Sequence, residues 1–198
     1  MRNIAVFDFD GTLTKKDTLL EFIKFCKGKK AFIIGFLLYS PLLIAYKLKL
    51  YPNWKVKQKI FSYFFKGMKY DTFCNFGEEF ALKINSFINK PIFERLKEHI
   101  AKGDDIYIVS ASIEEWVLPW CKKSEIKNVL GTKIEVINGT ITGAFKSKNC
   151  YGQEKVNRLI EKEPHRNEYF LTAYGDSRGD KEMLKFADKG FYIKNFLN

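Results

Sequence analysis

The chain has 198 residues, enough to bury one good hydrophobic core and a smaller second unit; 46% hydrophobic and 29% charged is an ordinary globular balance, though 16% aromatic is rich. Its four cysteines (Cys26, Cys74, Cys121 and Cys150) stand far apart with no C-x-x-C pair, which fits neither a zinc site nor a disulfide framework and points to a reducing cytoplasm. The formal charge of +11 is uneven: residues 15–70 hold thirteen lysines against Asp17 and Glu21 and carry the whole imbalance.

Residues 4–8 read as a buried strand running into Phe7-Asp8-Phe9-Asp10-Gly11-Thr12. Residues two apart on a strand face one side, so Asp8 and Asp10 aim at one spot at the strand's carboxyl end, where open α/β sheets place their ligands. Two carboxylates there repel unless a cation or a proton sits between them, which suggests a divalent metal and acid–base chemistry. The same aspartates interrupt the only N-terminal apolar run, so no secretory signal is expected.

Residues 18–89 carry a helical, aromatic-rich pattern with Gly35, Gly67 and Gly77 as punctuation. The lysines of this block should seek anionic surfaces, either lipid headgroups or nucleic acid. They surround an apolar stretch, so a membrane surface is the expected partner and nucleic acid is not. Residues 31–46 are sixteen uncharged residues. As one helix they reach roughly 24 Å at ~1.5 Å per residue, short of a ~30 Å hydrocarbon core, and Ser40-Pro41 adds a bend. Core helices or an interfacial segment dipping into one leaflet are both credible; a true span is the weaker reading.

Further along, Pro91 suits a first helical turn, Ile92, Phe93, Leu96 and Ile100 form an apolar face, and Gly103 is a C-terminal cap. Residues 106–109 read as a second buried strand. Ser112-Ile113-Glu114-Glu115 reads as a capping box opening a helix with Trp116, Val117 and Trp120 inward. Residues 133–136 and 140–145, joined at Asn138-Gly139, form a predicted hairpin. A helix over 153–161, a strand over 168–173, a helix near 181–187 and a strand over 191–194 complete the chain. The alternation predicts an α/β fold: residues 1–14 plus 91–198 as an α/β core with a mainly parallel sheet, and 15–90 as an inserted α-helical cap. His99 and His165 are assigned to structure.

Three more sites fall at strand ends or helix starts. A hydroxyl at Ser110, with the N–H groups of the following turn, suits a phosphate oxygen. Lys155 is a compact charge suited to a phosphoryl group. Gly175-Asp176-Ser177-Arg178-Gly179-Asp180 follows a buried strand and brings more carboxylates to the edge that holds Asp8. Each alone has a plainer reading, as a cap, a surface lysine or a polar turn.

In sequence order, D-F-D-G-T, strand–Ser, Lys and G-D-S-R-G-D resemble the four-motif pattern of the haloacid dehalogenase superfamily. The likeness covers nearly the whole chain and is strongest to the phosphoserine-phosphatase-like branch, which carries a helical cap between the first two motifs. Val109-Ser110-Ala111-Ser112, Gly131-Thr132, Asn149-Cys150-Tyr151-Gly152 and residues 171–180 look closest to the bacterial subgroup that includes phosphatidylglycerophosphatase C. The resemblance implies a Rossmann-like core, Asp8 as nucleophile and Asp10 as general acid and base. It implies Mg²⁺ held by Asp8, the backbone carbonyl of Asp10 and Asp176, with Asp180 supporting from behind. Ser110, Lys155 and the backbone around Gly11 and Thr12 would bind phosphate. Asp17 lies where phosphoserine phosphatases have an acidic substrate contact, but its plainer use is as the cap of a helix starting at Thr18.

The leading expectation is a Mg²⁺-dependent phosphomonoester hydrolase forming an aspartyl-phosphate, cytoplasmic and peripheral on the inner membrane face, acting on a lipid phosphate such as phosphatidylglycerophosphate. The second is a soluble phosphatase for a small metabolite such as phosphoserine or histidinol phosphate; the lack of arginine in residues 15–90 counts against a carboxylate-bearing ester. The non-catalytic alternative is a basic lipid- or nucleic-acid-binding module. The oligomeric state is not legible.

Overall fold

The computed structural model describes residues 1–193. Five strands, β1 (Arg2–Phe7), β2 (Asp105–Ile113), β3 (Asn128–Thr132), β6 (Tyr169–Gly175) and β7 (Lys189–Tyr192), form one sheet in the order β3-β2-β1-β6-β7. Every pairing in it is parallel. Parallel neighbours need long crossovers, and helices supply them: α5 (Lys90–Ala101) before β2, α6 (Glu114–Lys123) before β3, α7 (Gln153–Lys162) before β6 and α8 (Lys181–Phe186) before β7. The central strand β1 is covered on both faces, with Ile4, Ala5, Val6 and Phe7 all buried, as an apolar run without alternation requires. Strand order reverses around β1, so the carboxyl ends of β1, β2 and β6 open on one crevice.

Between β1 and β2 the chain builds four more helices: α1 (Thr18–Leu38), α2 (Ser40–Lys47), α3 (Asn53–Phe65) and α4 (Tyr70–Ile84). A left-handed Gly28, at φ +79, breaks α1 partway along. The high aromatic content is spent here. Phe22 stacks on Trp116 of α6 at 4.5 Å and meets Phe65, Phe73 and Phe80 at 5.2–5.6 Å. Such ring pairs contribute about 0.5–1.5 kcal/mol each beyond area burial. One hydrophobic cluster therefore runs from Phe7, Phe9 and Trp120 beside the sheet into Phe61 and Phe73 of the helical block. A second cluster, with Ile4, Val6, Leu159, Leu171 and Met183, includes residues of α7 and α8. The hairpin β4 (Ile134–Ile137) and β5 (Thr140–Phe145) joins the helical block, because Gly67 N–H donates to the Ile141 carbonyl at 2.8 Å and Ile141 N–H to Met68 at 2.9 Å. Its turn residues Asn138 and Gly139 take the positive φ that the predicted two-residue turn demands.

Four sequence expectations are corrected. Gly35 and Gly77 are not punctuation but lie inside α1 and α4, where a Cβ would come within 2.3 Å of Phe64 Cζ and 2.2 Å of the Glu115 carbonyl oxygen. Ser112 does not cap α6: β2 continues through it to Ile113, which precedes the helix without a side-chain cap. The edge strand β3 went unanticipated. The last strand begins at Lys189, and position 194 lies outside the described residues. Among the described residues no single helix is long and apolar enough to cross a membrane, although α1 and α2 together, bent by 60°, pass on length and composition.

Candidate active site

The site forms where β1, β2 and β6 end. Asp8 follows β1 directly, and its N–H donates to the Tyr174 carbonyl of β6 at 2.9 Å, which fixes its backbone to the neighbouring strand. Ser110 lies within β2 and is buried; its hydroxyl accepts from the Ser112 N–H at 3.1 Å. Asp176 follows β6, and Lys155 stands in the first turn of α7. These residues line one cavity of about 420 Å³ together with Asp10, Asp17 and Asp180.

At its floor, carboxylate oxygens of Asp8, Asp176 and Asp180 lie within 4.8 Å of one another. Lys155 is buried between two of them, its Nζ donating to Asp8 Oδ1 and to Asp180 Oδ1 at 2.5 Å each. Burial works against the Lys155 ammonium, but the two carboxylates outweigh it and hold its pKa above the usual lysine value. Burial lifts the Asp8 carboxyl above its usual range against the pull of Lys155, with Asp180 and Asp10 adding to the rise. A divalent cation beside these groups would pull it back down. Hard oxygen donors gathered this closely, with one ammonium to offset them, fit an ion of the Mg²⁺ type. Thr12 lies beneath them, its hydroxyl 3.4 Å from Asp8 Oδ2 and 3.3 Å from Asp176 Oδ1. Gly11, at φ +83, leaves room for Asp176: a Cβ there would sit 2.6 Å from Asp176 Oδ2.

Asp180 has little capacity left for an ion. Its Oδ2 accepts from the Asp176 N–H at 3.2 Å and from the Ser177 N–H and hydroxyl at 2.9 and 2.7 Å. With Lys155 on the other oxygen, it braces the loop and the ammonium. The chain's true capping box is here, at Ser177 and Asp180, in the S-x-x-D spacing that the motif itself contained.

Asp10 is held by groups the sequence reading missed. Its Oδ1 accepts from the Thr18 N–H at 2.9 Å, and its Oδ2 accepts from the Ser112 hydroxyl. Burial first and Asp17 second push its carboxyl up to about 6, against those hydrogen bonds and the charge of Lys57. Asp17 caps α1, accepting from the Leu20 N–H at 3.1 Å, and also lines the cavity.

Lys57 of α3 also reaches the cavity, donating to the Ala111 carbonyl at 2.5 Å. Burial lowers its pKa while Asp17 and Asp10 oppose the fall. The helical block thus supplies a cation without an arginine, which removes the sequence argument against a carboxylate-bearing ester. Opposite the polar floor the wall is apolar, built from Leu20, Phe36, Leu43, Tyr46 and Ile60.

Comparison with known proteins agrees with this architecture. The family model for haloacid dehalogenase-like hydrolase matches residues 5–185. Protein CicA of Caulobacter vibrioides is 34% identical over 194 residues, covering 96% of this chain and 86% of that protein. Among solved structures, a protein with unknown function from Bordetella pertussis Tohama I superposes with TM-score 0.80 at 18% identity, over 93% of this chain and 86% of the other. A phosphoserine phosphatase solved as a phospho-aspartyl intermediate analogue gives TM-score 0.67 at 18% identity, over 94% and 83%. The fold and the aspartate-lined crevice define a Rossmann-like α/β hydrolase. The chain belongs to the haloacid dehalogenase-like hydrolase family.

Proposed function

We propose that the chain is a magnesium-dependent phosphomonoesterase working through an aspartyl-phosphate on Asp8. The observation that carries this is the meeting of Asp8, Asp176 and Asp180, distant in sequence, around the Lys155 ammonium at the end of a buried strand. Asp8, Asp176 and the Asp10 carbonyl would hold Mg²⁺, which when bound supplies charge neutralisation between the nucleophile and the phosphoryl oxygens.

An Asp8 carboxylate oxygen attacks phosphorus, and the bond from phosphorus to the ester oxygen breaks. Asp10, protonated at this stage, gives its proton to the leaving oxygen, which departs as an alcohol. A pKa raised to about 6 is the right direction for an acid that must carry a proton near neutrality, and the substrate's negative charge raises it further. Asp10 then takes a proton from the attacking water, inorganic phosphate leaves, and Asp8 returns as a carboxylate. Lys155 and Ser110, with the N–H groups around Gly11, bind the non-reacting oxygens.

The apolar wall above this floor suits an ester whose alcohol is apolar, and a lipid phosphate such as phosphatidylglycerophosphate at an anionic membrane surface is the leading substrate class. Lys57 favours a second reading, a small metabolite whose carboxylate pairs with it. A panel of chromogenic, lipid and small-metabolite phosphate esters tests both, with kcat/KM choosing between them. Asp8→Asn or metal chelation should lower turnover of every ester by at least about 10³-fold; full activity in either would refute the mechanism.

A further inference from the structure

We propose that the outward face of the α1–α2 bend docks the protein onto an anionic phospholipid bilayer, lying in one leaflet and opening the catalytic cavity towards it. Beyond Lys30, α1 is apolar on all sides. Phe32, Phe36 and Tyr39, with Leu42 and Leu43 of α2, pack against the aromatic core. On the other side Ile33, Ile34, Leu37, Leu38, Ile44 and Leu48 stand 55–67% exposed. An exposed apolar face of this extent marks an interaction surface.

The occupant follows from charge. Residues 22–70 contain eleven lysines and no acidic residue, with Lys29 and Lys30 before the apolar stretch and Lys47 and Lys49 after it. Those four lysines are exposed. A second copy meeting this face would set the two lysine sets against each other. Anionic headgroups satisfy the lysines while acyl chains cover the leucines and isoleucines, the arrangement of an interfacial helix.

Depth follows from packing. The inner side of the bend is committed to the core, and α1 and α2 turn by 60° between them, so the segment lies in the interface rather than crossing. Phe36, Leu43 and Tyr46 belong to this bend and also line the catalytic cavity. An apolar path therefore leads from the leaflet to the phosphate floor. In this respect the inference rests on the phosphomonoesterase reading; the docking itself does not.

The test is flotation of the full chain with vesicles of phosphatidylcholine alone or mixed equally with phosphatidylglycerol, beside turnover of p-nitrophenyl phosphate. The chain should float with the anionic vesicles, and high salt should weaken capture about tenfold. The double variant Ile34→Glu/Leu37→Glu changes exposed positions outside the cavity. It should lose capture by about tenfold or more while keeping p-nitrophenyl phosphate turnover and its melting temperature. No capture of the native chain, or equal capture of the variant, overturns the docking and leaves the enzyme standing. Capture without turnover of any ester does the reverse. A native dimer that the variant splits, with no vesicle capture, makes a second copy the occupant and also overturns the proposal.

Discussion

Ser112 shows how one residue changes meaning with its surroundings. Two positions after Ser110 on β2, where the strand's register shifts, its N–H donates to the Ser110 hydroxyl and its own hydroxyl reaches Asp10. Ser112→Ala should lower kcat about tenfold with little change in KM, because Asp10 loses one of the groups that orient it; steady-state kinetics on a soluble ester measures the split. S-x-x-E before an apolar run is also a capping signal, so the sequence alone predicts a helix cap at this serine. Its actual place needs the strand to run four residues longer than its apolar run. Asp8, Asp10, Asp176 and Asp180 were legible because each sits in a short motif beside a strand end, and parallel topology does the gathering. Lys57 was not legible, since its place depends on how α3 lies across the sheet edge, and nothing in its neighbours marks it among the other lysines.

The contact between α4 and α6 is made through a missing side chain. At Gly77 the α6 backbone comes so near that a Cβ would stand 2.2 Å from the Glu115 carbonyl. Gly77→Ala should cost about 1–3 kcal/mol, read as a lower midpoint in chemical denaturation. Reading Gly35 and Gly77 as helix breaks followed propensity; tertiary packing overrode it, as it overrode the weak pattern of the five-residue edge strand β3. The same contact contains Glu115, whose Oε1 accepts from the Tyr70 hydroxyl at 3.3 Å and whose Oε2 is buried without a hydrogen-bond partner. Burial pushes its carboxyl up to about 7. The folded state then holds a proton that the unfolded chain releases near pH ~4.5, so Glu115's contribution is complete below that pH and disappears as pH rises through about 7. Glu115→Gln should therefore be more stable than the native chain by about 3 kcal/mol at pH 8 and level with it at pH 4, a difference that melts at the two pH values resolve.

One hydrophobic cluster joins residues 15–90 to the rest of the chain. Trp116 and Trp120 sit in that shared cluster, while secondary structure is distributed over residues 2–192. Thermal unfolding followed by tryptophan fluorescence and by far-ultraviolet circular dichroism should give coincident single transitions; a helical block melting separately would split them. Fold class and strand–helix order were readable because apolar runs and their spacing are local. The shared core was not, because it rests on rings such as Phe22 and Trp116 that lie far apart in the chain. Gly28 divides that long first helix by function as well as by direction. The half before it seats Phe22 in the shared core and gives the Thr18 N–H to Asp10; the half after it carries Phe36 to the cavity wall and an exposed apolar flank. Substitutions confined to that flank, at positions such as Ile34 and Leu37, would therefore change what the tip meets while Phe36 keeps its place over the reacting groups.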